Sequence, residues 1–158
     1  MTAAFAVTLA GVCVFLLLAR LVLPQLPLAG RSVRLSGVDA VLLMIGIVGL
    51  AFHCAAMFYR PLFDGIGPLA PLVDMVNEMN GASIILFVVP ALLVLIGLRR
   101  HYRVALAVLA LTLLVVGVTM YAGSPLNVHL GAIFVSVVAL VSHGALFVIP
   151  PWQRAAPA

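Results

Sequence analysis

The segment Val38–Tyr59 reads VDAVLLMIGIVGLAFHCAAMFY and decides the fold class. It contains no charged residue after Asp39, and it exceeds the roughly 20 apolar residues that a helix needs to cross the hydrocarbon core of a bilayer. Ser36 precedes the segment with Asp39 three residues on, which is a helix-capping pattern. The segment therefore predicts a membrane-spanning helix.

The whole chain has the same apolar character. Of its 158 residues, 66% are hydrophobic and 8% are charged, whereas an average soluble domain has about 45–50% apolar and about 25% charged residues. A small soluble fold cannot bury so much apolar surface. The composition excludes a soluble enzyme, a nucleic-acid-binding module and a disordered chain, and it indicates an integral membrane protein with no nucleic-acid partner.

Four further segments are long and apolar enough to be spans. We predict one all-α transmembrane bundle over residues 1–158, with five helices at about 3–23, 38–59, 81–98, 104–121 and 126–149 and an external loop at 60–80. The second half of that loop, Leu72–Asn80, has helical spacing, and its predicted apolar face contains Leu72, Met75, Val76 and Met79. We therefore expect a short amphipathic helix at the membrane interface.

The arginines predict the orientation of the bundle. The net charge of +4 comes with eight basic residues, all Arg. Seven of them fall on one predicted side, namely Arg20, Arg31, Arg34, Arg99, Arg100, Arg103 and Arg154, and only Arg60 falls on the other. Because cytoplasmic loops carry the excess of Lys and Arg, the N-terminus is predicted outside and the C-terminus in the cytoplasm. Aromatic residues at the predicted interfaces, such as Tyr59 and Trp152, agree with these boundaries. Arg-only basic usage suggests a bacterial inner membrane.

Two predicted spans carry stripes of small and polar residues at helical spacing. In span two the stripe contains Gly46, Gly49, His53, Ala56 and Met57, and in span five it contains His129, Ala132, Ser136, Ala139 and His143. Such faces usually contact other helices in a membrane. Spans one, two and five are therefore predicted to form the interior, and the featureless spans three and four to face lipid.

Histidines inside spans are candidate functional residues, because an ionisable group in lipid is costly. His53, His129 and His143 meet that description. The alternative is that each neutral imidazole hydrogen-bonds a group such as Thr119, Ser136 or a backbone carbonyl and only stabilises packing.

A copper site is the first specific hypothesis. Its candidate ligands all lie in the predicted outer half or at the outer surface: His53, Met57, Met75, Met79, Met120 and His129. His53 and Met57 are four residues apart on one helical face, and Met75 and Met79 repeat that spacing. Cys54 lies in the same predicted outer half, and thioether, thiol and imidazole donors together suit Cu(I).

Haem b is the second specific hypothesis, with His129 and His143 as the candidate cofactor-binding residues. They share one face of span five and are separated by about 21 Å at 1.5 Å per residue. The separation resembles that of the paired axial histidines of dihaem membrane cytochromes b. His53 would then pair with His129, and His101 with His143, although a plain cytoplasmic-loop role for His101 is the simpler interpretation.

The simplest functional hypothesis is an accessory or assembly subunit of a larger membrane complex, with the bilayer and other membrane subunits as partners. We rank it first, copper binding second and a membrane cytochrome third. No catalytic residues are predicted. Asp74 and Glu78 are interpreted as the solvated face of the interfacial helix, and no carboxylate lies in the middle of a predicted span.

Overall fold

The computed structural model describes residues 3–22 and 33–149, and helices dominate them. The helices are α1 (Ala3–Val22), α2 (Gly37–Phe58), α3 (Ala70–Asn77), α4 (Gly81–Gly97), α5 (Arg103–Tyr121) and α6 (Leu126–Phe147). Two 3-10 turns, Arg60–Phe63 and Gly67–Leu69, lead into α3. The predicted all-α class is confirmed, and the long helices differ from the predicted segments only at their ends. Arg31, Trp152 and Arg154, which entered the orientation argument, lie outside the described residues.

Side-chain caps begin two of the helices. Ser36 is the N-cap of α2, where its hydroxyl accepts a hydrogen bond from the Asp39 backbone N–H at 3.1 Å, as the sequence pattern predicts. Asn80 is the N-cap of α4 and accepts from the backbone N–H groups of Ala82 and Ser83. These oxygens satisfy donors that have no partner within a helix.

The described residues contain one short parallel β-sheet of two strands. Strand β1 (Val33–Arg34) pairs with strand β2 (Val148–Ile149), and Val33 lies opposite Val148. The predicted fifth span therefore ends as a helix at Phe147, and its last two residues are extended.

Helices α2 and α4 approach each other closely through glycine. A Cβ atom at Gly46 would lie 2.7 Å from the Pro90 carbonyl oxygen, and one at Gly97 would lie 2.8 Å from the Asp39 carbonyl oxygen. Gly49 faces the ring of Pro90 in the same way. The small-residue stripe of the second predicted span therefore does face another helix, and that helix is α4.

The prediction that α1, α2 and α6 form the interior is only partly right, because α2 and α6 contain buried residues whereas α1 has none among its described side chains. The largest buried apolar cluster consists of residues from α4 and α5, namely Ala91, Val94, Leu98, Leu109 and Leu113. Helix α2 packs mainly on α4, α6 packs on α5, and α1 packs on the outer side of α6. Helices α4 and α5 contribute residues to the core, because an apolar helix surface suits contact with other helices as well as contact with lipid.

Helix α3 lies across the end of the bundle where residues 60–80 are found, which we call the loop end. Its buried residues are Val73 and Val76, which pack against Ala56 of α2. The Asn77 amide donates to the Ala56 carbonyl oxygen at 3.1 Å. The predicted apolar face of this segment is thus only partly right, because Leu72 and Met75 are exposed and Val73 takes their place.

The opposite end, which we call the arginine end, carries a buried carboxylate. Asp39 is 2% exposed and accepts a hydrogen bond from Arg99, while Arg100 lies 4.0 Å away. The Ser36 hydroxyl donates to the same carboxylate at 2.7 Å. This network joins the start of α2 to the turn between α4 and α5.

Length and composition permit three to four membrane crossings in the described chain. Helices α2, α5 and α6 are each long and apolar enough to cross a membrane alone. Helix α3 with its preceding turn meets α4 at a bend of 103°, and the two together are long and apolar enough for one broken span. Helix α4 by itself has 17 residues, or about 26 Å at 1.5 Å per residue, less than the roughly 30 Å of a hydrocarbon core. The described part of α1 is among the shorter apolar helices.

Candidate functional site

His53 lies near the end of α2 and is buried at the loop end, with 2% of its surface exposed. Its Nε2 atom is 3.3 Å from the Sδ atom of Met120, near the end of α5. The ring of Phe87 from α4 stands edge-on to the imidazole, with centroids 5.7 Å apart. The Nδ1 atom of His53 is buried without a hydrogen-bond partner.

His129 lies in the first turn of α6 at the same end and is also buried. The Thr119 hydroxyl donates to the Val116 carbonyl oxygen at 3.0 Å, and its oxygen is 3.0 Å from Nδ1 of His129. Because the one hydroxyl proton is already used, Nδ1–H of His129 is the donor in that contact. The lone pair of this imidazole is therefore on Nε2.

Four side chains at the loop end, which we call the His53 site, are His53, Met57, Met120 and His129; Met57 is half-buried and the other three are buried. The ring of His129 contacts that of Phe58, with centroids 6.0 Å apart, and Phe58 packs against the buried cluster that contains Met120. Met120 belongs to a buried cluster with Phe87, and Met57 packs against that cluster. The fold thus brings together four of the residues that the copper hypothesis selected.

The other two candidate copper ligands lie apart from this group. Met75 on α3 and Met79 just after it are each 41% exposed. Among the residues that the structure describes, no set of three or more His, Cys, Asp or Glu side chains is placed to hold a metal ion. The His53 site has only two residues of those types, and its remaining donors are thioethers.

His143 lies fourteen residues after His129 on α6. It is at the arginine end of the bundle, and 2% of its surface is exposed. Its ring centroid is 5.7 Å from that of His101, and the rings are inclined at 63°. Both ring nitrogens of His143 are buried without a hydrogen-bond partner. We call these two residues the His143 pair. His101 lies in the turn between α4 and α5, as the loop interpretation expects, and its side chain is buried there against His143 of α6.

The packing alternative describes one of the three membrane histidines well. His129 has the Thr119 partner that this alternative expects. His53 has only a sulfur atom beside one nitrogen, and His143 has no partner at either nitrogen. Buried polar groups without partners are rare in native proteins and call for an explanation.

The chain matches no family model, no curated protein and no solved structure. Its chemistry therefore has to be inferred from its own side chains.

Asp74 and Glu78 at the loop end each accept a hydrogen bond from an exposed side chain. Asp74 accepts a hydrogen bond from Arg60 at 2.7 Å with both side chains exposed. Glu78 accepts from the Asn80 amide at 2.7 Å. Both are surface contacts, in line with the interpretation of a solvated face.

Phe87 is the contact residue that sequence reasoning missed. It lies on α4, whose sequence GASIILFVVPALLVLIG has no stripe to distinguish a buried face from a lipid face. Only the packing of α4 between α2 and α5 shows that Phe87 touches the imidazole of His53.

Proposed function

We propose that this chain is a membrane protein that binds Cu(I) at the His53 site. The observation that carries the proposal is the convergence of His53 Nε2 and Met120 Sδ, 3.3 Å apart and buried, with a second buried histidine, His129, at the same end of the bundle.

A cation explains what a hydrogen bond leaves unsatisfied at this contact. With its proton on Nε2, His53 donates to a weak sulfur acceptor and leaves the Nδ1 lone pair without a partner. With its proton on Nδ1, the N–H has no acceptor and the Nε2 lone pair faces the sulfur lone pairs. A metal ion accepts from Nε2 and Sδ together, so it satisfies these two facing atoms, and the ring proton is then on Nδ1, which still has no acceptor.

The donor types favour copper in its reduced state. Thioether sulfur is a soft ligand that selects Cu(I), and imidazole also suits copper. His129 contributes Nε2, because Thr119 holds its Nδ1 proton, and Met57 contributes a second thioether one turn after His53. A ring nitrogen held by a hydrogen bond while the other binds metal is the usual arrangement of a histidine ligand.

We give Met75 and Met79 a separate role in this proposal. Their exposed thioethers at the loop end suit a weak first contact with copper outside the bundle, and the buried ion is held by the His53 site.

The test is elemental analysis for copper and iron on protein purified in mild detergent without chelator. We expect near-stoichiometric copper in the wild type and loss of copper in His53→Phe and Met120→Leu. The matched control is Met44→Leu, which changes a methionine that is 59% exposed on the face of α2 away from the site. Full copper content in both site variants would refute the proposal.

Haem b is a second candidate because all four histidines of the chain are buried and lie as two groups at opposite ends. His129 and His143 would each be axial ligands of a different haem, with His53 and His101 as their partners. Two clefts of about 300 and 440 Å³ among the described residues are lined by side chains other than histidine. A Soret band in the purified protein that disappears in His129→Ala would support haem instead.

We keep the accessory-subunit hypothesis as a proposal about partners. It is supported by the small size of the chain and by the exposed apolar faces of its helices, which are compatible with lipid or with other membrane subunits. Purification under mild conditions with stable co-purifying subunits would support it, and a monodisperse single chain that retains its copper would argue against it.

We also propose five spans in a bacterial inner membrane, with the loop end outside and the arginine end in the cytoplasm. The support is the distribution of arginines, since Arg99, Arg100 and Arg103 share one end of the described bundle. Helix α1 then completes the fifth crossing.

A further inference from the structure

We infer that the cleft between α4 and α5 binds one anionic phospholipid, with an acyl chain in the cleft and the phosphate at the arginines that follow α4. The inference is independent of the proposed function, because none of the residues that it uses is a proposed copper ligand.

The first support is the shape of the cleft. Helices α4 and α5 form its two walls, and its volume is about 440 Å³. Ala91 and Leu113 line it on the core side and are buried, whereas Leu92 and Leu114 on its edges are 50% and 62% exposed. The cleft is therefore open on the side away from the core. Apolar clefts of this size between helices are typical binding places for small molecules.

The second support is the apolar lining, which continues along the whole cleft. It runs from Ile84 and Tyr121 near the loop end to Leu95 and Ala110 nearer the arginine end. The hydroxyl of Tyr121 lies 3.1 Å from the Ser83 hydroxyl, so this polar group already has a partner. From Ala110 to Tyr121 the helix rises about 17 Å at 1.5 Å per residue. That length is close to half of a roughly 30 Å hydrocarbon core, so it suits one acyl chain of one leaflet.

The third support is an excess of positive charge at the arginine end. The turn after α4 and the first residue of α5 supply Arg99, Arg100 and Arg103, which are all exposed. Of the four acidic residues in the chain, only Asp39 lies at this end, and it faces Arg99 and Arg100. Arg103 makes no ion pair with any of the four acidic side chains, all of which the structure describes. Three guanidinium groups thus stand beside one carboxylate, and a phosphate would balance the excess.

The fourth support is the position of Arg103 relative to the cleft. Arg103 precedes Ala110 by two helical turns, so both residues lie on the same face of α5. Leu114 and Tyr121 continue that face and also line the cleft. The rise from Arg103 to Ala110 is about 10 Å. This distance leaves room for the glycerol and ester groups between a phosphate at Arg103 and an acyl chain in the cleft.

An anionic phospholipid matches both the cleft and the arginines. A zwitterionic lipid has the same acyl chains, but its headgroup brings a positive charge to the arginines. A free phosphate ion has nothing to place in the cleft. A second copy of the chain would add positive charge, since the net charge of each copy is +4. Basic pockets between membrane helices bind acidic lipid headgroups for the same electrostatic reason.

The experiment is native mass spectrometry of delipidated protein in detergent, titrated with phosphatidylglycerol or with phosphatidylcholine of the same acyl chains. We expect the wild type to bind one phosphatidylglycerol about tenfold or more tightly than phosphatidylcholine, because two arginine charges exceed the one carboxylate. Arg103→Gln should weaken phosphatidylglycerol binding about fivefold, the usual contribution of one arginine near an anionic lipid. Arg60→Gln is the matched control, because Arg60 is an exposed arginine at the loop end, and it should bind like the wild type.

A second pair of variants tests the cleft itself. Ala110→Phe fills the part of the cleft nearer the arginines, so we expect weaker phosphatidylglycerol binding. Leu111→Phe introduces the same side chain at a position that is 61% exposed and outside the cleft, and it should have no effect. Arg103→Gln changes an exposed side chain, so it keeps the test decisive if Ala110→Phe alters folding.

Four outcomes would overturn the inference. Equal affinities of the wild type for the two lipids would do so, as would unchanged phosphatidylglycerol binding in Arg103→Gln and Ala110→Phe. Full displacement of the lipid by inorganic phosphate would remove the cleft from the site, since an ion alone would account for binding. A dimer that forms without lipid and dissociates in Ala110→Phe would assign the cleft to a second copy. None of these outcomes affects the His53 site, because the titration contains no copper.

Discussion

Thr119 determines which nitrogen of His129 faces the His53 site. Its hydroxyl proton is given to the Val116 carbonyl oxygen, so its oxygen accepts from His129 Nδ1. This contact fixes the tautomer and the direction of the ring before any ion arrives. The threonine thus acts on the site through His129 and is a positioning residue.

We expect Thr119→Val to weaken Cu(I) binding by about tenfold to a hundredfold, the usual cost of removing a hydrogen-bond partner from a metal-binding histidine. The measurement is competition with a Cu(I) chelator at equal protein concentration. Thr112→Val is the matched control, because the Thr112 hydroxyl bonds only the Leu109 carbonyl oxygen on the same helix. Equal affinities of the two variants would remove Thr119 from the site.

The sequence identifies which residues are chemically unusual but not which of them meet. His53, Met120 and His129 stand out because imidazole and thioether groups lie in apolar helices. The contact between His53 and Met120 joins residues of α2 and α5, and it depends on how each helix is rotated about its axis. A strongly apolar helix carries little information about that rotation, so neither the contact nor the role of Phe87 was predictable.

At the scale of helices, the interface of α2 and α4 sets the position of His53. Glycines allow the two backbones to approach closely at Gly46, Gly49 and Gly97. The sequence predicts that a small-residue stripe faces a helix, because such stripes permit close packing in membranes. It does not name the partner, since every other helix in the chain offers a similar apolar surface.

We expect Gly46→Ala to lower the thermal midpoint in detergent, because its new Cβ would lie within 2.8 Å of the backbone of Pro90 and Val94. Overpacking of this kind costs about 1–3 kcal/mol. Gly131→Ala is the control, since a Cβ there meets nothing within 4 Å and alanine favours a helix over glycine by about 1 kcal/mol. An unchanged midpoint in Gly46→Ala would contradict the close approach of α2 and α4.

A second element-scale prediction concerns the ion pair at the arginine end. Asp39→Asn should destabilise the protein more than Asp74→Asn, because Asp39 is almost fully buried with Arg99 and Ser36 while Asp74 and Arg60 are exposed. Exposed ion pairs contribute little to stability. Thermal unfolding of both variants in the same detergent makes the comparison. A larger loss in Asp74→Asn would show that the Asp39 network does not hold α2 to the turn after α4.

At the scale of the whole molecule, composition alone predicts helices in a membrane. Each long helix falls on a predicted segment, because a bilayer forces apolar segments to satisfy their backbone groups internally. The number of crossings is harder to predict. Helix α4 is short and meets α3 at a bend of 103°, and such a bend decides whether the two helices cross once together or whether α3 lies along the surface.

The five spans that we propose would place the two termini on opposite sides of the membrane. We expect an alkaline phosphatase fusion at the C-terminus to be inactive and a fluorescent-protein fusion there to be bright. The same phosphatase inserted after Asp64, in the segment between α2 and α3, should be active and is the internal control. An active C-terminal phosphatase would reverse the proposed orientation.

Burial of every histidine has a practical consequence for handling the protein. All four imidazoles are nearly inaccessible in the folded bundle, so the native chain without a tag should pass through an immobilised-nickel column. Chains that have lost their packing expose the histidines of α2, of α6 and of the turn between α4 and α5, and they should be retained. Chromatography on such a resin can therefore sort folded from misfolded material in a preparation before any metal is added.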